Sequence, residues 1–516
     1  MRRLSVTDSL HPVTRAWRGD VLALLAGAAL PFAFAPLSWF PLAVISPALL
    51  FITWLGATPR RALWRGYLFG LGQFGVGVSW VYVAIHDFGY ASVPLAVFLT
   101  ALFVAFIALF PALTGYFAAR LFPLPDNRKI LLAFPAAWTL FEWLRGWIFT
   151  GFPWLNIGYS QIDAPLSGIA PLLGVYGVSW ATVFSAALLI VLLCAEKSMK
   201  LRALVALALL WGGSALLGRM EWTQPLDAPL KVSLVQGNIP QDIKWQPEQR
   251  QRTLDLYAGL TRQRWGDDLI VWPEAALTVF YHEIAGNYLA RLGDEARAQG
   301  TDLIIGLSVA DLETRRYYNS MMSVGTSEGF YFKRHLVPFG DYVPFEKWLR
   351  GLIKFFDLPM SGYSPGPERQ ALLAAAGYKV GVSICYEDIF GEEIIEGLPE
   401  AALLVNGTNN AWYGDSLAPH QALQMSRMRA LETGRAMLRA TTNGISAIID
   451  ARGKILARSP QFETHVVTGE AQPRRGAAPY VRWGNYPVLA LLLFLFAWLL
   501  FPRKISHFTR IGKEPD

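Results

Sequence analysis

Cysteine is nearly missing from this chain: its 516 residues include two, Cys194 and Cys385. Charge is also scarce. Asp, Glu, Lys and Arg make up 16% of the residues, where soluble domains carry about a quarter. With 53% hydrophobic residues and a mean hydropathy of +0.31, that shortage excludes an ordinary soluble protein and indicates a polytopic membrane protein. Other absences narrow the chemistry. The seven histidines show no ligand spacing such as His-x-x-x-His, so no metal is expected. Neither a P-loop nor a dinucleotide fingerprint occurs, and no cofactor is expected. Gly-x-Ser-x-Gly is absent around Ser383, which speaks against a serine hydrolase. No internal repeat or low-complexity tract is present.

The shortage of charge is uneven. Residues 19–218 and 485–502 are apolar, whereas 219–484 have the polarity of a globular domain long enough for one large α/β core. A membrane-spanning helix needs about 20 mostly apolar residues. Candidates run over 19–36, 38–56, 64–85, 92–119, 129–150, 166–195, 199–218 and 485–502, or about eight spans. Pro31 and Pro36 interrupt the first stretch and blur its boundary with the second. Ala33-Phe34-Ala35 resembles a signal-peptide cleavage site, but Pro36 and a second apolar stretch follow directly, so an uncleaved helix is expected. The expected organisation is a membrane domain at 1–218 with seven transmembrane helices, a polar domain at 219–484, and a last helix with its tail at 485–516.

Basic residues cluster in alternate loops. Arg2, Arg3, Arg15 and Arg18 precede the first stretch, and Arg60, Arg61 and Arg65 follow the second. Arg120, Arg128 and Lys129 follow the fourth, Lys197, Lys200 and Arg202 the sixth, and Arg503, Lys504, Arg510 and Lys513 the last. The intervening loops near 86–91 and 151–165 contain no Lys or Arg. The positive-inside rule then makes both termini cytoplasmic and puts the polar domain outside, in the periplasm of a bacterium. These residues account for much of the +7 net charge, so no nucleic-acid partner is implied. Glu142 and Arg145, within the fifth stretch at i,i+3, could pair on one helix face or meet lipid headgroups.

The outer domain therefore holds one thiol, with Cys194 across the membrane and no disulfide possible. A lone cysteine of this kind is either a small buried hydrophobe or a reactive group. Its surroundings alternate strand-like runs (230–236, 269–272, 303–307, 320–324, 380–384, 402–405 and 445–449) with helical ones (247–264, 281–299 and 419–433). That pattern predicts an α-β-β-α sandwich or a related doubly wound fold. Three residues fall at strand ends, where such folds place chemistry: Glu274 after Leu-Ile-Val-Trp-Pro, Lys333, and Cys385 after Val-Gly-Val-Ser-Ile. A carboxylate beside a thiol can take its proton. An ammonium beside both can stabilise a thiolate or an oxyanion.

The strings Val-Trp-Pro-Glu274, Lys333-x-His-Leu-Val-Pro-Phe-Gly and Ile384-Cys385-Tyr386-Glu387 resemble the nitrilase, or carbon–nitrogen hydrolase, superfamily. With its membrane helices the chain is similar over nearly its whole length to the apolipoprotein N-acyltransferase family of that superfamily. Val235-Gln-Gly-Asn-Ile-Pro240, Trp245, Asn410-Ala-Trp412-Tyr-Gly414 and His420 to Glu432 also match. The resemblance implies a Glu-Lys-Cys triad that moves a fatty acyl chain from a membrane phospholipid, through a Cys385 thioester, to the α-amino group of a diacylglyceryl apolipoprotein. It implies Glu274 as general base and acid, and Lys333 with the Tyr386 N–H as oxyanion hole. Asp341 and Glu387 are implied as orienting carboxylates, Trp245 and Tyr386 as walls of the acyl site, and Trp412 as a supporting residue. Two positions depart from the family pattern: Asp341 stands where Glu is commoner, and Asn410 where Asp is commoner. Residues 345–365, with Trp348, Leu349, Leu352, Ile353, Phe355, Phe356 and Leu358, read as an apolar arm, either a membrane-dipping lid or a helix over the core. A membrane-anchored nitrilase-type amidase and a non-enzymatic scaffold or transporter are the alternative readings.

Overall fold

The computed structural model describes residues 16–122, 127–344 and 362–500. Helices occupy part of each of the eight apolar stretches. By length and composition, Val93–Leu121, Pro165–Cys194 and Lys197–Leu217 can each cross a membrane. The bent pair Pro59–Gly77 and Trp80–Phe88, 54° apart, makes up to four among the described residues. Leu42–Trp54 and Tyr486–Leu500 are apolar but shorter. Proline explains the shortfall at the start: Ala16–Ala29 gives way to a tight turn at Leu30–Ala33 with Pro31 in its first turn.

The polar half is a four-layer sandwich. One sheet orders its strands His465–Ala471, Leu230–Gln236, Leu269–Val271, Asp302–Asp311, Arg316–Val324 and Gly329–Phe332, with Leu277–Phe280 also against Asp302–Asp311. The other runs Ile455–Arg458, Ala447–Ile449, Met437–Thr441, Leu403–Thr408, Tyr378–Ile384 and Leu373–Ala375. Both centres are parallel and both edges antiparallel.

Period-two alternation with both faces buried produces the layers. Leu234, Leu269, Val271 and Ile304 face Val380, Leu403, Val405 and Leu438 between the sheets. The intervening Ile270, Trp272, Leu303 and Ile305 turn outward onto Leu254 and Tyr257 of helix Arg250–Arg262, and onto Leu292 and Ala296 of helix Ala290–Ala298. On the far side Leu404, Met437 and Ile449 meet Leu423 and Ala430 of helix Ala418–Thr433. The α-β-β-α sandwich expected from the sequence is the one observed.

Helix Ala418–Thr433 joins the two halves. It is rich in polar residues yet almost wholly buried, so each polar group needs a partner. Trp154 Nε1 donates to Gln421 Oε1 at 2.6 Å, and Gln421 Nε2 donates to the Gly77 carbonyl at 3.1 Å. Val175 N donates to Glu432 Oε1 at 2.6 Å. The apolar half thus supplies hydrogen-bond partners to buried polar groups of this helix.

Candidate active site

Glu274 and Cys385 follow central strands, one in each sheet, and Lys333 follows the edge strand Gly329–Phe332. Backbone approach around Glu274 is close. A Cβ at Gly306 would lie 2.1 Å from the Pro273 carbonyl oxygen, and one at Gly407 would lie 3.2 Å from the Glu274 nitrogen. Gly306 therefore needs to be glycine, and Gly407 leaves little room for a side chain. Cys385 itself holds φ +54° and Ala275 φ +45°, conformations that cost non-glycine residues energy and concentrate at functional sites.

Lys333 binds two carboxylates, Asp341 Oδ2 at 2.7 Å and Glu274 Oε1 at 3.3 Å, with all three side chains buried. Glu274 also accepts from Asn319 Nδ2 on Oε1 and from the Asn409 backbone N–H on Oε2, each at 2.7 Å. Asp341 accepts from Val337 N at 2.7 Å. Burial alone would push the Glu274 carboxyl up, but Lys333, the Asn319 amide, the Asn409 N–H and Lys244 together hold it below the ordinary carboxylate range. Burial opposes charge on Lys333 too, yet Asp341 and Glu274 hold its ammonium well above the usual lysine value. Half-buried Cys385 behaves differently. Burial pushes its thiol well up, as do Glu274 and Asp341, and Lys333 and Arg439 offset only part of this. Burial and the two carboxylates thus favour the neutral thiol of Cys385, while Lys333 and the other partners of Glu274 favour its ionised carboxylate.

Other buried groups fix the turn that begins at Cys385. Glu387 accepts from Ile384 N at 2.7 Å and Tyr331 Oη at 3.0 Å on one oxygen. On the other it accepts from Arg334 N at 2.8 Å and His335 N at 3.1 Å. One carboxylate thus ties the strand that ends at Cys385 to the loop after Lys333. Burial pushes the Glu387 carboxyl up to about 7, against the backbone N–H groups that favour its ionised form. Below it, Arg439 Nη1 donates to Asp388 Oδ2 at 2.7 Å and Asn406 Oδ1 at 2.6 Å. Asn406 Nδ2 reaches the Cys385 carbonyl at 3.3 Å.

Every expected site residue is described. Tyr386 Oη donates to the Gly151 carbonyl at 2.7 Å, which links the residue after the nucleophile to the apolar half. Trp412 packs edge-on against Phe88. Trp245 lies in the loop after Ile239, its indole N–H buried without an acceptor. Asp341 reaches Lys333 despite its shorter chain, whereas both polar atoms of the Asn410 side chain are buried and unpartnered. The arm at 345–365 lies outside the described residues except for 362–365. Glu142 and Arg145 form no ion pair among the described residues, contrary to one expectation. Glu142 accepts from Trp138 Nε1 and Ile157 N, and Arg145 donates to the Phe152 carbonyl and Asn156 Oδ1. They secure the loop that carries Gly151. Asn319, Asn409, Asn406 and Arg439 were not singled out from sequence. Each is an ordinary polar residue in or beside a strand, and only the fold gives it a partner at the site.

Two family profiles match the chain. One, described as the apolipoprotein N-acyltransferase N-terminal domain, matches residues 26–188. The other, carbon-nitrogen hydrolase, matches residues 231–480. The apolipoprotein N-acyltransferase of Methylococcus capsulatus is 49% identical over 496 residues, covering 96% of this chain and 98% of that protein. The protein of the same description from Azotobacter vinelandii is 45% identical, covering 96% and 97%. That of Coxiella burnetii is 43% identical, covering 93% and 99%.

Proposed function

This chain belongs to the apolipoprotein N-acyltransferase family, and on that premise we propose how its own residues carry the transfer. It is an acyltransferase of lipoprotein biosynthesis. In the first step Cys385 Sγ attacks the sn-1 ester carbonyl of a membrane phospholipid while Glu274 takes the thiol proton. The Sγ–C bond forms, Lys333 and the Tyr386 N–H receive the oxyanion, and the bond to the glycerol oxygen breaks as Glu274 returns the proton to it. A lysophospholipid departs.

In the second step the free α-amino group of a diacylglyceryl-cysteine at a lipoprotein N-terminus attacks the thioester. The N–C bond forms, the C–S bond breaks, and Glu274 passes the amine proton to sulfur. Asp341 and Glu387 keep Lys333 and the two loops in place. Trp245, Tyr386 and Trp412 bound the acyl site, which shields the thioester from water. About eight spans, seven before residue 219 and one after 484, hold the 219–484 domain on the periplasmic side of the inner membrane, with both termini cytoplasmic.

The pairing of an ionised Glu274 with a neutral Cys385 thiol, near a lysine held cationic, supports thiol chemistry over a non-enzymatic scaffold or transporter. The match of the apolar half to an acyltransferase profile disfavours a simple amidase. The enzyme incubated with phospholipid carrying a labelled sn-1 chain is expected to retain label through a hydroxylamine-sensitive bond. Adding a diacylglyceryl lipopeptide should chase that label onto the peptide amine. Label released only as free fatty acid, even with the lipopeptide present, would refute transfer in favour of hydrolysis.

A further inference from the structure

Lys244 touches none of the reacting groups above and acts on Glu274 only through space, yet it is fully buried. Its ammonium has no hydrogen-bond or ion-pair partner among the described residues. Burying a charge uncompensated costs several kcal/mol, so a lysine kept there needs an occasional counter-ion. The neighbouring Trp245 offers a second buried donor without an acceptor, its indole N–H. Two buried donors on consecutive residues, neither with an acceptor in contact, suit an oxygen anion better than a cation.

The loop that carries them is fastened to the reacting groups. Asn409 Nδ2 donates to Gln241 Oε1 at 3.1 Å, and the Asn409 backbone N–H donates to Glu274 Oε2 at 2.7 Å. The Lys244 N–H closes a turn onto the Pro240 carbonyl at 3.0 Å. Lys244 and Glu274 feel each other's charge without forming an ion pair. Glu274 already has Lys333, Asn319 and Asn409 bound to its two oxygens, so the free ammonium is not required there. Burial lowers the Lys244 amine to about 8, and an arriving anion would restore its full charge.

We infer that Lys244 binds the phosphodiester of the acyl donor, next to the ester that reacts at Cys385. The inference rests on the phospholipid reading above and adds the feature by which the donor is recognised. In such a donor the sn-1 oxygen that leaves with the proton of Glu274 is separated from the phosphate by the glycerol carbons alone. A phosphate held that close to the proton of Glu274 would come near the cation that already acts on Glu274 through space. The same ester in a diacylglycerol, which lacks phosphate, gains nothing from Lys244.

The test compares acyl-enzyme formation by the full-length enzyme in micelles from phosphatidylethanolamine and from diacylglycerol with the same chains. Wild type is expected to favour the phospholipid. Lys244→Met should lower the phospholipid-to-diacylglycerol ratio by about thirtyfold or more, the scale of removing one partner from a buried charge pair. Lys244→Arg should keep most of the preference. If the Met variant does not accumulate, Lys244→Gln, which keeps polarity but no charge, is read in its place. Equal losses with both donors would overturn the inference and leave the acyl-transfer reading standing. Failure of the wild type to form an acyl-enzyme from either donor would sink that reading, and the inference with it.

Discussion

The proton on Cys385 decides how the nucleophile works. A cysteine next to a lysine is commonly activated by a lowered pKa. Here burial and two carboxylates outweigh Lys333 and keep the thiol neutral. Activation then depends on Glu274 as a base, and that dependence gives two effects of opposite sign. Glu274→Gln removes the base and should slow acyl-enzyme formation by about a thousandfold, within the range of general acid–base catalysis. It also removes the negative charge that pushes the thiol up, so alkylation of Cys385 by iodoacetamide at neutral pH should become severalfold faster than in wild type. Parallel loss of alkylation and acylation would mean that Glu274 works by lowering the thiol's pKa instead.

At the scale of elements, the site is held by strand-end loops whose polar contacts lie deep between layers. Arg439, on strand Met437–Thr441, is 1% exposed and braces Asp388 and Asn406 beneath the nucleophile's turn. Arg439→Met leaves the Asp388 carboxylate buried without its cation, at a cost of about 3–5 kcal/mol. Thermal unfolding in detergent should show that loss, and the double variant Arg439→Met/Asp388→Asn should recover a good part of it. A single variant as stable as wild type would remove Arg439 from this role. The same residues show what could be read from sequence. Strands such as Tyr378–Ile384 announce themselves by continuous apolar runs, and Glu274 and Cys385 stand out because they end such runs. Arg439 and Asn319 lie inside strands as lone polar residues, and nothing local marks their partners, which come from distant segments. Helix Ala418–Thr433 is legible as a helix, but not as buried, because partners for Gln421 and Glu432 come from the other half of the chain. Strands Leu277–Phe280, Gly329–Phe332 and Leu373–Ala375 are short and lie on or near sheet edges, where the apolar signal is weakest.

At the scale of the whole molecule, the two halves share one site. Tyr386, adjacent to the nucleophile, bonds to Gly151, and His335, two residues after Lys333, lies 2.9 Å from the Thr150 carbonyl. The loop bearing both carbonyls is secured by Arg145 and Glu142. Cys385 packs against the apolar core of the helical half as well as against the core between the sheets. The central claim is that this sulfur carries the acyl chain between two substrates. Intact mass of the purified enzyme, incubated with phospholipid and no acceptor, tests it most directly. The expected result is one added mass of fatty-acyl size, assigned to the Cys385 peptide, absent from Cys385→Ser and lost when a diacylglyceryl lipopeptide is supplied. Lipopeptide N-acylation at an undiminished rate by Cys385→Ser would contradict the account.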